Sequence, residues 1–251
     1  MSIYCCSDLH GCYNLYEQIN KFLKPEDIVY FLGDATDRGP EGWRLLKAIA
    51  ANPQWKYIKG NHEDMLVDAM RDFVKYDSYD YAYQLLVYNG GYATFSGWLA
   101  EDEKFYESWM NHINKFPTYY IYTNKDNIHI ILSHAGFTPT IDHQTGNIEI
   151  PEDRDLIWNR GHFNEKWNNA LPNFIVVHGH TPTESLVDYL HESEFRDIIV
   201  EPGALWYCEN HKVCIDCGSV WSGYTVLLDL DTFDEHIFEN EYSLLTKETE
   251  E

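Results

Sequence analysis

The sequence predicts an α/β fold in which parallel strands are joined by helices, and three observations predict it. Short apolar, β-branched and aromatic runs alternate with stretches of helical periodicity in the first part of the chain. Those runs end in similar polar turns, and strand-like text returns throughout the second half. Alternation of this kind is the signature of parallel strands with helical crossovers.

Taken in order, "IYCC" (3–6) is the first strand and leads into "SDLHGC" (7–12). Leu15, Ile19, Phe22 and Leu23 then recur at helical spacing until Pro25 stops the run. "DIVYFLGD" is a second strand ending in Gly33-Asp34, "EGWRLLKAIA" a helix, and "WKYIKGNHE" a third strand ending in Gly60-Asn61-His62-Glu63. From Glu63 to about Phe116 the text turns helical and aromatic, which marks an insertion (63–116). The tyrosines of "YDSYDYAYQLLVYNGGYATFSGW" are expected to pack that insertion's own core, the alternative being a substrate groove. Strand-like pieces follow at "TYYIY", "IHIILSHAG", "FIVVHGHT", "RDIIVEPG", "KVCIDCG" and "YTVLLDL", and the acidic "TKETEE" (246–251) reads as a frayed, solvated tail. With no internal repeat, low-complexity tract or linker, residues 1–251 read as one domain.

Composition excludes several classes. The apolar and charged fractions, 44% and 24%, are those of an ordinary soluble protein. A formal charge of −23 disfavours nucleic acid as a partner, because such affinity depends on Lys and Arg neutralising phosphates. No run approaches the ~20 apolar residues of a membrane span, and "MSIYCCSDLHG" lacks the features of a secretory signal, so a cytoplasmic location is expected. Six cysteines lie in two clusters at opposite ends, which suits a reduced set better than a disulfide framework. In "CENHKVCIDC", Cys208, His211, Cys214 and Cys217 recur every third residue, but on a strand Cys214 and Cys217 point opposite ways, which argues against zinc there.

Five strand-like runs end in Asp, Asn or His: Asp8 and His10, Asp34, Asn61 and His62, His134, and His178 with His180. Histidine is not a favoured turn residue, and in α/β sheets such ends converge on one crevice. Carboxylates, one amide oxygen and several imidazoles form a mixed O/N ligand set suited to Mn, Fe or Zn rather than Ca. Two such ions ~3.5–4 Å apart would activate water at neutral pH and clamp a phosphoryl oxygen.

These residues stand in ordered blocks: "DLHG" (8–11), "GDATDRG" (33–39), "GNHE" (60–63), "HAG" (134–136) and "GHT" (179–181). The set resembles the phosphoprotein phosphatase branch of the calcineurin-like metallophosphoesterases, in the bacterial and phage form, over nearly the whole chain. The resemblance implies a four-layer α/β/β/α sandwich and hydrolysis of a phosphomonoester by a hydroxide that two divalent ions activate, without a phosphoenzyme. It implies that Asp8, His10 and Asp34 hold the first ion, that Asp34 bridges, and that Asn61, His134 and His180 complete the second shell. His62 would be the proton donor to the leaving group, oriented by Asp37, and Arg38 would grip the phosphate with help from Asn61 and, in "DLIWNRGHF", from Arg160. Manganese is the first expectation for the metal, with iron and zinc as alternatives.

Chemistry agrees with these roles: a guanidinium fork matches phosphate oxygens, and Asp37 beside His62 would fix its tautomer and favour the imidazolium. Ser7 stands where many members have glycine, and "IDCGSVWSG" carries Cys217 where the resembling block has threonine. His178, two residues before His180, either reaches the site or is a hydrogen-bonded structural histidine, and it is left outside the ligand set. The expected substrate is a phosphoserine or phosphothreonine protein. The alternatives are a dinucleoside polyphosphate or small phosphorylated metabolite and, more remotely, a non-catalytic protein-binding scaffold on the same fold.

Overall fold

The computed structural model describes residues 1–76, 79–142, 144–185 and 202–240. Its elements in order are β1 (Ile3–Cys6), α1 (Tyr13–Phe22), β2 (Ile28–Phe31), α2 (Gly42–Ala51), β3 (Trp55–Tyr57), α3 (Asn61–Tyr76), α4 (Tyr81–Tyr88), α5 (Tyr92–Leu99) and α6 (Tyr106–Ile113). There follow β4 (Tyr119–Thr123), β5 (His129–Ser133), the hairpin strands β6 (Thr140–Ile141) and β7 (Ile148–Glu149), α7 (Asp153–Trp158), β8 (Phe174–His178), β9 (Leu205–Tyr207), β10 (Lys212–Cys214), β11 (Tyr224–Asp229) and β12 (Glu235–Glu239). Among the described residues no helix is long and apolar enough to cross a membrane.

Among the described residues two five-stranded sheets form, in the orders β12-β11-β1-β2-β3 and β4-β5-β8-β10-β9. In the first, β1, β2 and β3 are parallel and β11 and β12 antiparallel. In the second, β5, β8 and β10 are parallel, flanked by antiparallel β4 and β9. Strand alternation makes the layers. Ile3 and Cys5 of β1 meet Ile130, Leu132, Ile175 and Val177 of the second sheet in a core between the sheets. Tyr4 and Cys6 face the other way, onto Leu15, Ile19, Leu46 and Ile49 of the first helical layer. Ile131 and Val176, pointing out of the second sheet, are covered by Phe137, Leu156, Trp167 and Leu171. The expected four layers are therefore present, and among the described residues α7 is the α-helix on the outer face of the second sheet.

The helices follow from spacing. In α1, Leu15 and Ile19 sit four apart on the buried face, and the chain leaves the helix at Leu23, ahead of Pro25. In α2, Trp43, Leu45, Leu46 and Ile49 are buried. The stretch after β3 carries α3 to α6, but β3 stops at Tyr57, so Asn61 and His62 occupy the first turn of α3 rather than a strand end. The tyrosine expectation is corrected: Tyr76, Tyr79, Tyr81, Tyr88 and Tyr92 are exposed. Leu86, Thr94, Phe95 and Trp98 are the buried side chains of α4 and α5, with Tyr83 half-buried against Phe95. The strand expected at "RDIIV" (196–200) and the tail 246–251 lie outside the described residues.

Candidate active site

Every parallel strand feeds one crevice from its carboxyl end. β1 delivers Asp8 and His10, β2 delivers Asp34, β5 His134, β8 His180 and β10 Asp216, while Asn61 and His62 arrive on α3 after β3. The turns are conformationally costly. Asp8, His10, Asp34, Asp37, Arg38 and His180 all have positive φ, between 40° and 70°. For a residue with a Cβ this region costs on the order of 1 kcal/mol each, and strain of this kind clusters at functional sites. Close approach is also enforced: a Cβ on Gly60 would lie 2.1 Å from Asp34 Oδ1, and one on Gly179 would lie 2.1 Å from Asp8 Oδ2.

Hydrogen bonds settle several tautomers. His134 Nδ1 donates to the Leu32 carbonyl over 2.8 Å, so its Nε2 carries a lone pair. That lone pair faces Asn61 Oδ1 at 2.9 Å and His180 Nδ1 at 3.1 Å, and the latter two are 2.9 Å apart. Three acceptor-capable atoms with at most one proton among them form a nest that a cation satisfies better than hydrogen bonding does. His10 Nδ1 likewise donates to the Thr36 carbonyl, over 2.8 Å, which leaves Nε2 as an acceptor 3.8 Å from Asp8 Oδ1 and 3.6 Å from Asp34 Oδ2. Asp8 Oδ1 is buried with no hydrogen-bond partner. Asp34 Oδ2 also lies 3.5 Å from His134 Nε2, so it faces both groups. Ligand atoms of Asp8, Asp34 and His134, and of His10, Asp34 and His62, lie within 4.8 Å of one another, which brings His62 to the same ring. The donor chemistry, the orphaned carboxylate oxygen and the opposed lone pairs fit a pair of divalent cations.

Electrostatics point the same way. Burial raises Asp8 well above the carboxylate range, with the Asp34 charge adding to it, and raises Asp34 to about 7. Burial lowers His134 to about 3 and pushes His10 and His180 well below their ordinary values. Imidazoles kept neutral are the state a metal ligand set requires, and two buried carboxyl groups whose charges are disfavoured without a cation are groups that a bound cation would ionise.

Beside this ring, His62 Nδ1 is 2.7 Å from Asp37 Oδ2, and Arg38 reaches His10 Nε2 with Nη1 at 2.8 Å and His62 Nε2 with Nη2 at 3.2 Å. Asp37 and His62 therefore pair as expected, but the imidazolium is not favoured by the pair as a whole. Burial, opposed by Asp34, lowers His62, and burial lifts Asp37 to about 8. Arg160 stands at the rim, with Nη1 donating to Thr181 Oγ1 at 2.6 Å and Nη2 to the His180 carbonyl at 3.4 Å. The guanidinium of Arg38 lies 4.6 Å over the ring of Trp221, which is 43% exposed.

Sequence reasoning missed several supports. Glu63, fully buried, accepts the backbone N–H groups of Asp34, Ala35, Thr36 and Gly60 and the hydroxyls of Thr36 and Tyr57. It stands in "GNHE", so its block was visible although its task was not. Ser7 donates to Asp8 Oδ2, as does the His180 amide. Ser219 donates to the Asp8 carbonyl, and Thr94 of α5 accepts the Asp37 amide. Asp216 is buried beside Asp8, whose charge helps raise it, and it was signalled only by "IDCGS".

The discounted cysteine cluster does not converge. Cys214 Sγ points at the Thr181 carbonyl, Cys217 Sγ at Gly203 and Cys208 Sγ at Glu165, while His211 donates to Phe174 and stacks on Trp167. His178 donates to the Gly179 carbonyl through Nδ1 and accepts from the Tyr207 hydroxyl at 2.7 Å, contacts that favour the structural one of its two readings.

Comparison with known proteins adds the family. A model of the family described as calcineurin-like phosphoesterase matches residues 1–213. A symmetrical bis(5'-nucleosyl)-tetraphosphatase of Delftia acidovorans is 34% identical over 73 residues, 28% of this chain and 26% of the relative. Another, from Buchnera aphidicola subsp. Baizongia pistaciae, is 25% identical over 179 residues, 64% of this chain and 53% of the relative. Serine/threonine-protein phosphatase 2 of Escherichia coli K12 is 37% identical over 71 residues, 27% of this chain and 32% of the relative. The chain thus matches about a quarter to a half of the length of these relatives. Among solved structures, a protein serine/threonine phosphatase from Saccharomyces cerevisiae superposes with TM-score 0.56 at 13% identity, covering 95% of this chain and 80% of that one. A metallophosphoesterase from Sphaerobacter thermophilus gives 0.53 at 13% identity, covering 99% and 91%. These two likenesses show the fold.

Proposed function

We propose, on the premise that this chain belongs to the calcineurin-like phosphoesterases, that it hydrolyses phosphate esters with two divalent cations. The observation that carries this reading is Asp34 Oδ2, which faces the ligand atoms of both nests within 3.6 Å, directly beside the Arg38–His62 pair. Asp8, His10 and Asp34 would hold one ion, and Asp34, Asn61, His134 and His180 the other. Bound there, such ions polarise a phosphoryl oxygen and lower the pKa of water.

The chain's own residues do the rest. Arg38, with its planar fork already aimed into the ring, binds two equatorial oxygens of the phosphate, and Arg160 and the Asn61 amide close the other side. With a phosphate drawing Arg38 off His62 Nε2 and its charge favouring the imidazolium, His62 would carry a proton at Nε2 toward the leaving oxygen while Nδ1 remains bonded to Asp37. A positioned proton donor matters most for a strongly basic leaving group, so the His62–Asp37 pair supports an alkyl phosphate, as in phosphoserine or phosphothreonine, as the substrate.

A second reading, hydrolysis of dinucleoside polyphosphates, draws on the names of several relatives and on Trp221, whose exposed indole beside Arg38 offers a stacking face for a base. A panel comparing a phosphoserine peptide, p-nitrophenyl phosphate and diadenosine tetraphosphate at equal concentration tests both. Highest kcat/KM on the peptide supports the first reading, highest kcat/KM on the tetraphosphate supports the second, and no hydrolysis of any of them by metal-loaded protein returns the chain to a binding role.

A further inference from the structure

The helical insertion reaches the crevice at two adjacent residues. The amide of Asp37 donates to Thr94 Oγ1 at 2.9 Å, from a loop fifty-seven positions earlier in the chain. The next amide, that of Arg38, donates to the Gly90 carbonyl at 2.9 Å. Both Asp37 and Arg38 are left-handed, with φ of 69° and 62°, a conformation that two consecutive residues with side chains do not hold without support. Their two amides therefore have partners, and both partners belong to the insertion.

The junction is built for close approach. Thr94 is fully buried. A Cβ on Gly42, at the start of α2, would meet Thr94 Oγ1 at 2.4 Å and the Asp37 nitrogen at 2.8 Å. Gly90, with φ +86°, lies so near Arg38 that a Cβ would sit 3.0 Å from both its nitrogen and its Cα. The insertion is itself fixed to the sandwich, since Gly97 of α5 packs on Trp43 of α2 and Trp43 Nε1 donates to Glu101 at 2.9 Å. Nothing in this contact needs the phosphate or the cations.

We infer that the insertion acts as a clamp on the Asp37–Arg38 pair, with Thr94 and Gly90 as positioning residues: Thr94 sets Asp37, and through it the imidazole of His62, while Gly90 sets the guanidinium of Arg38. The inference rests on the proposed roles of Asp37, His62 and Arg38. It adds that the chemistry of this chain depends on an element outside the sequence blocks that carry those residues. It also accounts for the position of two glycines and one threonine that packing of the insertion alone does not require.

The test uses the full chain loaded with metal and reads kcat and KM separately on a phosphoserine peptide and on p-nitrophenyl phosphate, with metal content and Tm measured alongside. Thr94→Val keeps the shape and removes the acceptor. It should lower kcat on the peptide by about tenfold, the order of one lost hydrogen bond to a positioned group. The aryl ester should suffer less, bound metal should be unchanged, and Thr94→Ser should recover most of the loss. Gly90→Ala, which displaces Arg38, should raise KM on both esters alike and weaken inhibition by inorganic phosphate. Wild-type kinetics in folded Thr94→Val, or equal losses on both esters that Thr94→Ser does not relieve, overturns the clamp. If Thr94→Val does not fold, Gly90→Ala decides, and unchanged phosphate inhibition in that variant overturns it. Arg38→Ala and His62→Asn run in parallel: if they too are without effect, the reading of the site has failed rather than the clamp.

Discussion

The amide of His180 donates to Asp8 Oδ2 at 3.0 Å, joining strand ends from different sheets across 172 positions of sequence. The bond sets the depth at which the second sheet's ligands meet those of the first. It also leaves Asp8 Oδ1 without a partner, turned toward His10. A carboxylate with one oxygen satisfied by protein and the other left open is what a cation site needs before the cation arrives.

Metal dependence follows from that arrangement. Chelator-treated protein should lose hydrolysis and regain it with Mn²⁺ more readily than with Ca²⁺, whose preference for oxygen suits this imidazole-rich ring poorly. Asp34→Asn should bind fewer than two ions per chain, measured by elemental analysis, because Oδ2 faces both nests. Two tightly held ions in that variant would remove Asp34 from the bridging position.

Glu63 is a buried carboxyl group that accepts from four backbone amides and two hydroxyls. Glu63→Gln turns one acceptor oxygen into a donor facing donors. Urea unfolding of the metal-free protein should show a loss of about 3 kcal/mol, the upper end for leaving a buried hydrogen-bonding group without its partner. Activity should fall with it, because the Asp34–Thr36 turn that presents Asp34 hangs on this carboxylate. A loss well under 1 kcal/mol would show that the turn is held by other contacts.

Lys212 supplies a stability test away from the cations. Its ammonium is buried, donating to Thr138 Oγ1 at 2.6 Å and to the His162 carbonyl at 2.7 Å, and burial lowers it to about 8. Between about 8 and the unfolded value of 10.5 the unfolded chain binds the extra proton. Stability contributed by this group therefore rises with pH through that window, by a few kcal/mol. The difference in unfolding free energy between wild type and Lys212→Met should move in favour of wild type from pH 8 to 10.5. A flat difference would mean that Lys212 titrates normally.

The parallel core was legible because its strands are short apolar runs cut off by Asp, Asn or His, a contrast visible in single letters. β12 escaped notice because "EHIFE" starts and ends in glutamate and buries no residue fully, so its strand identity comes from pairing with β11. The exposed tyrosines of the insertion were misjudged for a related reason: aromatic density says that a core exists, but Phe95 and Trp98 fill it. The candidate ligand residues could be read because they stand in ordered blocks. Thr94 could not, since nothing near "ATFSG" shows that its hydroxyl meets Asp37. Burial likewise overrode the expectation for His62, whose proton affinity depends on neighbours from the β2–α2 loop, from its own helix α3 and from the segment after α7.

The assignment of His62 as proton donor has a kinetic signature that metal binding and phosphate binding lack. In a loose transition state the departing oxygen gathers negative charge, so protonation helps most when it would otherwise leave as a basic alkoxide. Serine and threonine are such leaving groups, whereas p-nitrophenolate is a stabilised anion and needs the proton far less. His62→Asn should lower kcat on a phosphoserine peptide by something like the ~10²–10⁴ of general acid catalysis, and clearly less on p-nitrophenyl phosphate. Asp37→Asn should show the same bias in weaker form, since it acts through the 2.7 Å contact to Nδ1. Arg38→Ala should penalise both esters alike, because each presents the same phosphate to the guanidinium. The structure makes the comparison informative, since Arg38 Nη2 lies 3.2 Å from His62 Nε2 and a change in either residue disturbs the other's surroundings. If Arg38→Ala produced the leaving-group bias and His62→Asn did not, the two roles would have to be exchanged. Equal losses on both esters in His62→Asn, with two ions still bound, would make His62 a residue that positions phosphate or water, and the proton would have to come from solvent.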